Sequence, residues 1–355
     1  HSRLVGSEMC IRDRAAAMVQ GVPGVSRNEY INQFITWLVA HEIGHNMGLR
    51  HNFVASTLLD LNQLGDAATV DKESTSASVM DYVAFNPSAL NGKAKFYGEE
   101  VGRYDIMAIQ YGYTPFAGKN TVEERFDLSQ IATTGSRDGL AWLGDEYADS
   151  IDPYITRFDL AKDPLAYWTR MGTMSRTLLF QLDTHSPKDG QSYFNFTRDF
   201  NVLLGTYAQS ADQLTRFIGG VRFSPAFKGD KGGRKPIENI DGTRQKAALN
   251  QIMKMIFAED SFAFPKHYYQ MLATNPKAGL IEGLLSATDD RPMFDRFSAI
   301  QSSTLGSLMN PDTLRRVANQ EFEADKPEST LRLIDLFEAV RGNVWSELAT
   351  AKPTS

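Results

Sequence analysis

The spacing of apolar residues predicts a long helix near the start of this chain. Apolar side chains recur at steps of three and four residues at Tyr30, Ile31, Phe34, Ile35, Trp37, Leu38, Ile43 and Met47. Such steps gather side chains on one side of a helix. Ser26 and Glu29 precede this run at capping-box spacing, so we expect the helix to begin at Ser26. Because the apolar stripe is broad, the pattern predicts a largely buried helix.

A helical pattern also dominates the chain from about Thr114 onward. Four segments have apolar residues at three- and four-residue steps, and each opens with Asp, Ser or Pro, which suit a helix start. They span residues 163–182, 241–257, 311–322 and 329–348. Residues 216–240 interrupt them with glycine-rich turn signals and short β-prone runs, which predict a hairpin. The sequence therefore predicts a mainly α fold with one hairpin.

Composition and charge narrow the classes of partner. The 355 residues are 42% hydrophobic, enough for the core of one large domain or two smaller ones. The net charge of -6 gives no electrostatic argument for a nucleic-acid partner, which would need a clustered positive face. No apolar run approaches the roughly 20 residues that a membrane helix needs. We expect no nucleic-acid binding and no transmembrane segment.

The first fourteen residues differ in character from the rest. The stretch HSRLVGSEMCIRDR resembles a translated sequencing-adapter remnant, so we interpret residues 1–14 as non-native. The natural chain would then begin further upstream, where a signal peptide would also have been lost. Cys10 is the only cysteine and lies within this stretch. Any metal must therefore be held by nitrogen and oxygen ligands.

Three of the six histidines fall within HEIGHNMGLRH, residues 41–51. His41 and His45 are four positions apart, so both imidazoles project from one helical face. Gly48 can adopt the left-handed conformation that ends a helix and turns the chain, which would bring His51 back as a third ligand. Three imidazoles leave a tetrahedral position open, as in catalytic zinc sites. A crowded helix end is the alternative, and the third histidine favours the metal site.

Glu42 lies beside the two helical histidines rather than among the ligands. In a site of this kind it would act as general base, taking a proton from water and passing it to the leaving amine. The predicted chemistry is therefore hydrolysis by a water molecule activated at one catalytic Zn²⁺ ion.

A second pattern, SVMDY at residues 78–82, resembles the Met-turn of metzincin metalloproteases. Astacins and serralysins carry a Ser-x-Met-x-Tyr turn below the metal. The resemblance implies that Met80 is the Met-turn residue and that Tyr82 lies near the metal and stabilises the oxyanion. Met80 and Tyr82 as ordinary core and surface residues are the alternative. Residues 103–113 resemble the closing helix of such a domain, with Ile106, Ile109 and Tyr113 packed on one face.

Together, HEIGHNMGLRHNF, SVMDYVAFNP and YDIMAIQYGYTP resemble bacterial zinc-dependent metalloproteases with a Met-zincin domain. The resemblance implies a metzincin catalytic subdomain over residues 15–115, followed by a mainly helical extension over 116–355. It also implies a peptide or protein substrate and a periplasmic or secreted location. The sheet that precedes the zinc helix in metzincins does not fit into residues 15–25. We therefore expect missing upstream domains of the same chain and an exposed helix face bearing Tyr30, Phe34, Trp37 and Leu38.

Other interpretations stay open. The chain could be a catalytically impaired zinc- or peptide-binding module, or a helical interaction domain working through residues 116–355. An acidic cluster comprises Asp145, Glu146, Asp149, Asp152, Asp159 and Asp163. It lacks the spaced Asp-x-Asp-x-Asp-Gly loop of calcium sites, so the sequence leaves calcium binding there undecided and does not favour it.

Overall fold

The computed structural model describes residues 26–136, 139–148, 150–230, 234–273 and 293–345. The predicted remnant at residues 1–14 lies outside this part of the chain. The described residues form eleven α-helices and a single two-stranded sheet. The prediction of a mainly α fold is confirmed.

The chain groups into two compact units. The first unit contains described residues 26–167 and 220–240, and the second contains 168–219 and 241–345. The hairpin thus belongs to the first unit, together with the predicted zinc helix. The domain boundaries predicted after residues 14 and 115 stay predictions.

The first unit contains four helices, the beginning of a fifth and the hairpin. These are α1 (Arg27–Asn46), α2 (Ala67–Glu73), α3 (Arg103–Tyr113), α4 (Thr121–Ala132) and the start of α5 (Pro164–Phe180). Strand β1 (Val221–Phe223) pairs antiparallel with β2 (Ile237–Asn239), which confirms the predicted hairpin. The Asp152 carboxylate accepts a hydrogen bond from the Phe223 backbone at 2.7 Å and so ties β1 to the preceding segment of this unit.

Local signals set both ends of α1. The Ser26 hydroxyl accepts a hydrogen bond from the Glu29 backbone at 3.3 Å, as the capping pattern predicts. At the other end, Gly48 has φ +82°. Its N–H donates to His45, and the N–H of Leu49 donates to Gly44, both at 3.0 Å. This pair of bonds is a Schellman motif, which ends the helix and reverses the chain.

The predicted burial of α1 is wrong for one face. Tyr30, Phe34 and Trp37 are buried, with ring centroids between 5.4 and 5.8 Å from those of Phe96 and Tyr97. The expectation that these three side chains are exposed is also wrong. The exposed apolar residues are Ile35, Val39, Ile43 and Met47, each 40 to 52% accessible. The spacing of apolar residues indicated that α1 is apolar on several sides. It could not show which of these sides packs against the rest of the unit.

The second unit is a bundle of helices, and side-chain caps from Ser192, Asp241 and Asn310 open three of them. It comprises most of α5, then α6 (Tyr193–Thr215), α7 (Gly242–Ile252), α8 (Tyr268–Met271), α9 (Met293–Leu308), α10 (Pro311–Glu323) and α11 (Leu333–Val344). Helix α7 continues as a π-turn over Met253–Phe257. All four segments predicted as helical contain a helix. The 23-residue α6 packs on α7 and α9 within this unit.

None of the described helices combines the length and apolar character that crossing a membrane requires.

Candidate metal centre

The three histidines of the first motif meet at one point in the first unit. Helix α1 presents His41 and His45 on one face, with ring centroids 4.8 Å apart. The Schellman turn brings the His51 ring to 5.5 Å from that of His41 and 4.9 Å from that of His45. One nitrogen from each ring lies within 4.8 Å of the others, so a single metal ion could contact all three.

Hydrogen bonds fix the orientation of each imidazole. The Nδ1 atom of His41 lies 2.7 Å from the Val79 carbonyl, and that of His45 lies 3.1 Å from the Leu49 carbonyl. The Nδ1 atom of His51 lies 3.0 and 3.1 Å from the two Asp145 carboxylate oxygens. These oxygens can only accept, so each Nδ1 carries the hydrogen and each Nε2 offers its lone pair. The three side chains therefore fit a metal bound through Nε2.

Burial favours the neutral, metal-binding form of His41 and His51. Desolvation lowers the pKa of His41 to about 4, the bond to Val79 opposes this shift, and the nearby His45 and His51 lower it further. Desolvation also lowers the pKa of His51, against the opposing effect of Asp145. Metal ligation requires neutral imidazole. At neutral pH these two side chains therefore need lose no proton before binding an ion.

Helix α3 anchors the segment that holds His41 in place. The Asp105 carboxylate is buried and accepts hydrogen bonds from the Ser78 hydroxyl at 2.5 Å and the Val79 N–H at 2.8 Å. Burial raises the pKa of Asp105, and these bonds oppose the shift. The bounds of α3 match the prediction, but its predicted packing face does not, because Ile106 and Tyr113 are 53 and 61% exposed. The buried anchor of α3 is a carboxylate, which apolar periodicity does not reveal.

Met80 lies beneath the helical turn that joins the two histidines of α1. Its side chain is fully buried, and a Cβ added at Gly44 would overlap its sulfur. The Met80 carbonyl accepts a hydrogen bond at 3.1 Å from the N–H of Asn52, the residue that follows His51 in the chain. The Met80 side chain therefore packs against the helical turn between His41 and His45.

The Tyr82 hydroxyl reaches the Nε2 atom of the third histidine. Its oxygen lies 2.9 Å from His51 Nε2. Since Nδ1 of His51 carries the hydrogen, the hydroxyl donates to the Nε2 lone pair. The Tyr82 ring stacks on Phe158, with centroids 5.5 Å apart and an interplanar angle of 8°. The buried Tyr82 ring, stacked on the half-buried Phe158, thus holds the hydroxyl at the site.

Glu42 occupies an exposed position on α1, one residue after His41. Its backbone carbonyl accepts a hydrogen bond from the Asn46 side chain at 2.9 Å. The structure thus gathers the histidines, Met80 and Tyr82 closely, and it leaves the Glu42 carboxylate accessible to solvent.

The sequence did not identify Asp145 as a partner of His51. It belongs to the acidic cluster, whose described members have separate roles. Glu146 pairs with Arg50, Asp152 accepts from the backbone of Tyr154 and Phe223, and Asp163 caps α5 through the N–H of Leu165. Asp159 is buried near Asp81, whose pKa is raised by burial and by the Asp159 charge, and Asp149 lies outside the described residues.

Fold and site together define a mainly helical protein with a cluster of three histidines that could hold a metal ion. A family model described as Met-zincin matches residues 24–352, and the chain belongs to this family. The match includes the helical second unit as well as the residues of the metal centre. Searches for similar curated proteins and for similar solved structures returned no match.

Proposed function

We propose that this protein is a zinc-dependent metallopeptidase. The observation that carries the proposal is the convergence of three imidazoles, each with Nδ1 beside an oxygen acceptor and each with one ring nitrogen within 4.8 Å of the others. Membership of the Met-zincin family supports a peptide or protein as substrate. The proposed ligands are His41, His45 and His51, because three neutral nitrogen ligands with an open position are typical of catalytic zinc.

A bound zinc ion would polarise the scissile carbonyl and make a water molecule more acidic. Glu42 would take the proton of that water and deliver it to the leaving amine. Tyr82 would exchange its bond to His51 Nε2 for one to the carbonyl oxygen, where negative charge develops. Met80 would support the histidine pair without reacting.

The role of Glu42 separates zinc binding from turnover. Glu42→Gln keeps the shape of the side chain and removes the base. We expect zinc content to remain and peptide hydrolysis to fall at least ~10²-fold, the effect typical of lost general-base catalysis. The matched control is Glu29→Gln, which changes an exposed glutamate in the first turn of the same helix. Chelator-sensitive hydrolysis that is equal in the two variants would refute the proposed role.

A zinc- or peptide-binding module without turnover is the second candidate. The exposed position of Glu42 favours it, because a base open to solvent is less shielded than a desolvated one. The same experiment distinguishes the two functions. Stoichiometric zinc without chelator-sensitive cleavage of a peptide library would identify the binding module.

We also propose that the natural protein has further residues upstream and works in the periplasm or outside the cell. This proposal rests on the resemblance of the motifs to secreted metzincin proteases. N-terminal sequencing of the natural protein from fractionated cells tests it, and a mature cytoplasmic chain beginning near residue 26 would contradict it.

A further inference from the structure

Residues 141–143, which lie well beyond the recognised motifs, form hydrogen bonds with the stretch of chain that contains His51. Residues 141–143 and 51–53 lie side by side and exchange four hydrogen bonds of 2.9 to 3.1 Å. They are Trp142 Nε1 to His51 O, Leu143 N to Asn52 Oδ1, Asn52 Nδ2 to Ala141 O, and Phe53 N to Leu143 O. The position of the third histidine is therefore set from about 90 residues downstream.

Asp145 lies at the end of this segment and completes the contact. Both of its carboxylate oxygens lie within 3.1 Å of His51 Nδ1. The guanidinium groups of Arg50 and Arg157 lie 3.9 and 3.7 Å from the same carboxylate. The carboxylate is thus held between two cations while it accepts the imidazole hydrogen.

We propose that Asp145 is the positioning residue for the third metal ligand. Its carboxylate fixes the His51 ring, keeps the hydrogen on Nδ1 and directs Nε2 to the metal. A carboxylate bonded to a ligand imidazole also makes that imidazole a stronger donor to the metal. The proposal rests on the zinc site proposed above and assigns it one further residue, outside the motifs that identify the family.

His51 differs from the other two ligands in how it is held. His41 and His45 bond to backbone carbonyls, which substitution cannot remove, whereas His51 bonds to a side chain. A simple surface ion pair with Arg50 would contribute little to the free energy of unfolding. Glu146 has that simpler role, since its carboxylate lies 2.7 Å from Arg50. Glu146 therefore provides a matched control next to Asp145 in the chain.

The test compares zinc affinity in Asp145→Ala, Asp145→Asn and Glu146→Gln, measured by competition with a chromophoric chelator. Loss of a partner of this kind typically weakens metal binding ~10–100-fold, which we expect for Asp145→Ala. Asp145→Asn keeps an acceptor oxygen without the charge and should lie between Asp145→Ala and the wild type. Glu146→Gln should match the wild type. Wild-type affinity in both Asp145 variants would overturn the proposal.

A second measurement does not depend on bound metal. Nitrogen chemical shifts of His51 in chelator-treated protein report which ring nitrogen carries the hydrogen. We expect Nδ1–H in the wild type and in Glu146→Gln, and a mixture of tautomers in Asp145→Ala. An unchanged tautomer in Asp145→Ala would also count against the proposal. Circular dichroism of each variant shows whether it is folded, and Asp145→Asn carries the test if Asp145→Ala is not.

His51→Ala separates failure of this inference from failure of the proposed function. If His51→Ala binds zinc as tightly as the wild type, the three-histidine site itself is wrong. If His51→Ala loses affinity and the Asp145 variants do not, the zinc site stands and only the assignment of Asp145 fails.

Discussion

At the scale of single residues, the candidate site includes both the three histidines and the oxygen atoms bonded to their Nδ1 atoms. The motif at residues 41–51 identifies His41, His45 and His51 because helical spacing alone places two rings together and a glycine turn returns the third. Asp145 could not be found in this way. It contacts His51 across 94 residues of sequence, so the contact exists only after the chain has folded.

The proposed role of the Tyr82 hydroxyl predicts different effects on kcat and on KM. Tyr82→Phe keeps the ring stacked on Phe158 and removes only the donor. If the hydroxyl stabilises the oxyanion, kcat should fall by up to ~10²–10³-fold with little change in KM. Steady-state kinetics on a peptide substrate measure both constants, and Tyr111→Phe, an exposed tyrosine of α3, is the control. A raised KM with an unchanged kcat would assign the hydroxyl to ground-state substrate binding instead.

At the scale of elements, the ends of helices were predicted better than their surroundings. Ser26 and Gly48 are local signals for the start and end of α1, and glycine-rich turn signals predicted the hairpin. The covered side of α1 depends on contacts with Tyr97, which the local pattern does not contain. The region between the third histidine and the Met80 turn contains α2 and two 3₁₀ turns, which the apolar pattern did not indicate.

The turn at Gly48 links helix geometry to metal binding. No atom lies within 4 Å of a Cβ added there, so Gly48→Ala introduces only the backbone strain of a left-handed alanine. That strain typically costs roughly 1–2 kcal/mol, and relief of it would displace His51. We expect both a lower free energy of unfolding in urea and weaker zinc binding. Gly112→Ala is the control, because Gly112 lies within α3 and its added Cβ also meets nothing.

A Gly48→Ala protein with unchanged zinc affinity would show that the left-handed turn does not position His51. In the control, alanine should leave zinc binding intact and favour α3 by roughly 0.5–1 kcal/mol, since glycine is a poor helix former.

At the scale of the whole molecule, the candidate metal centre lies within one compact unit. The histidines, the Met80 segment, α3 and the Asp145 segment all belong to the first unit, although they span residues 41 to 145. The family match nevertheless extends through the helical second unit. Zinc that binds only the folded protein should therefore stabilise the unit that holds the histidines, and the gain should rise with the logarithm of the free zinc concentration above Kd.

Calorimetric titration of the chelator-treated protein with zinc tests the central claim most directly. The account predicts about one zinc per chain. It also predicts that His51→Ala weakens zinc binding by more than ~10–100-fold, the loss typical of removing only a group that hydrogen-bonds a metal ligand. His185→Ala, in the second unit, should bind zinc as the wild type does. The account would be contradicted if His51→Ala retained wild-type zinc affinity, or if His185→Ala lost as much affinity as His51→Ala.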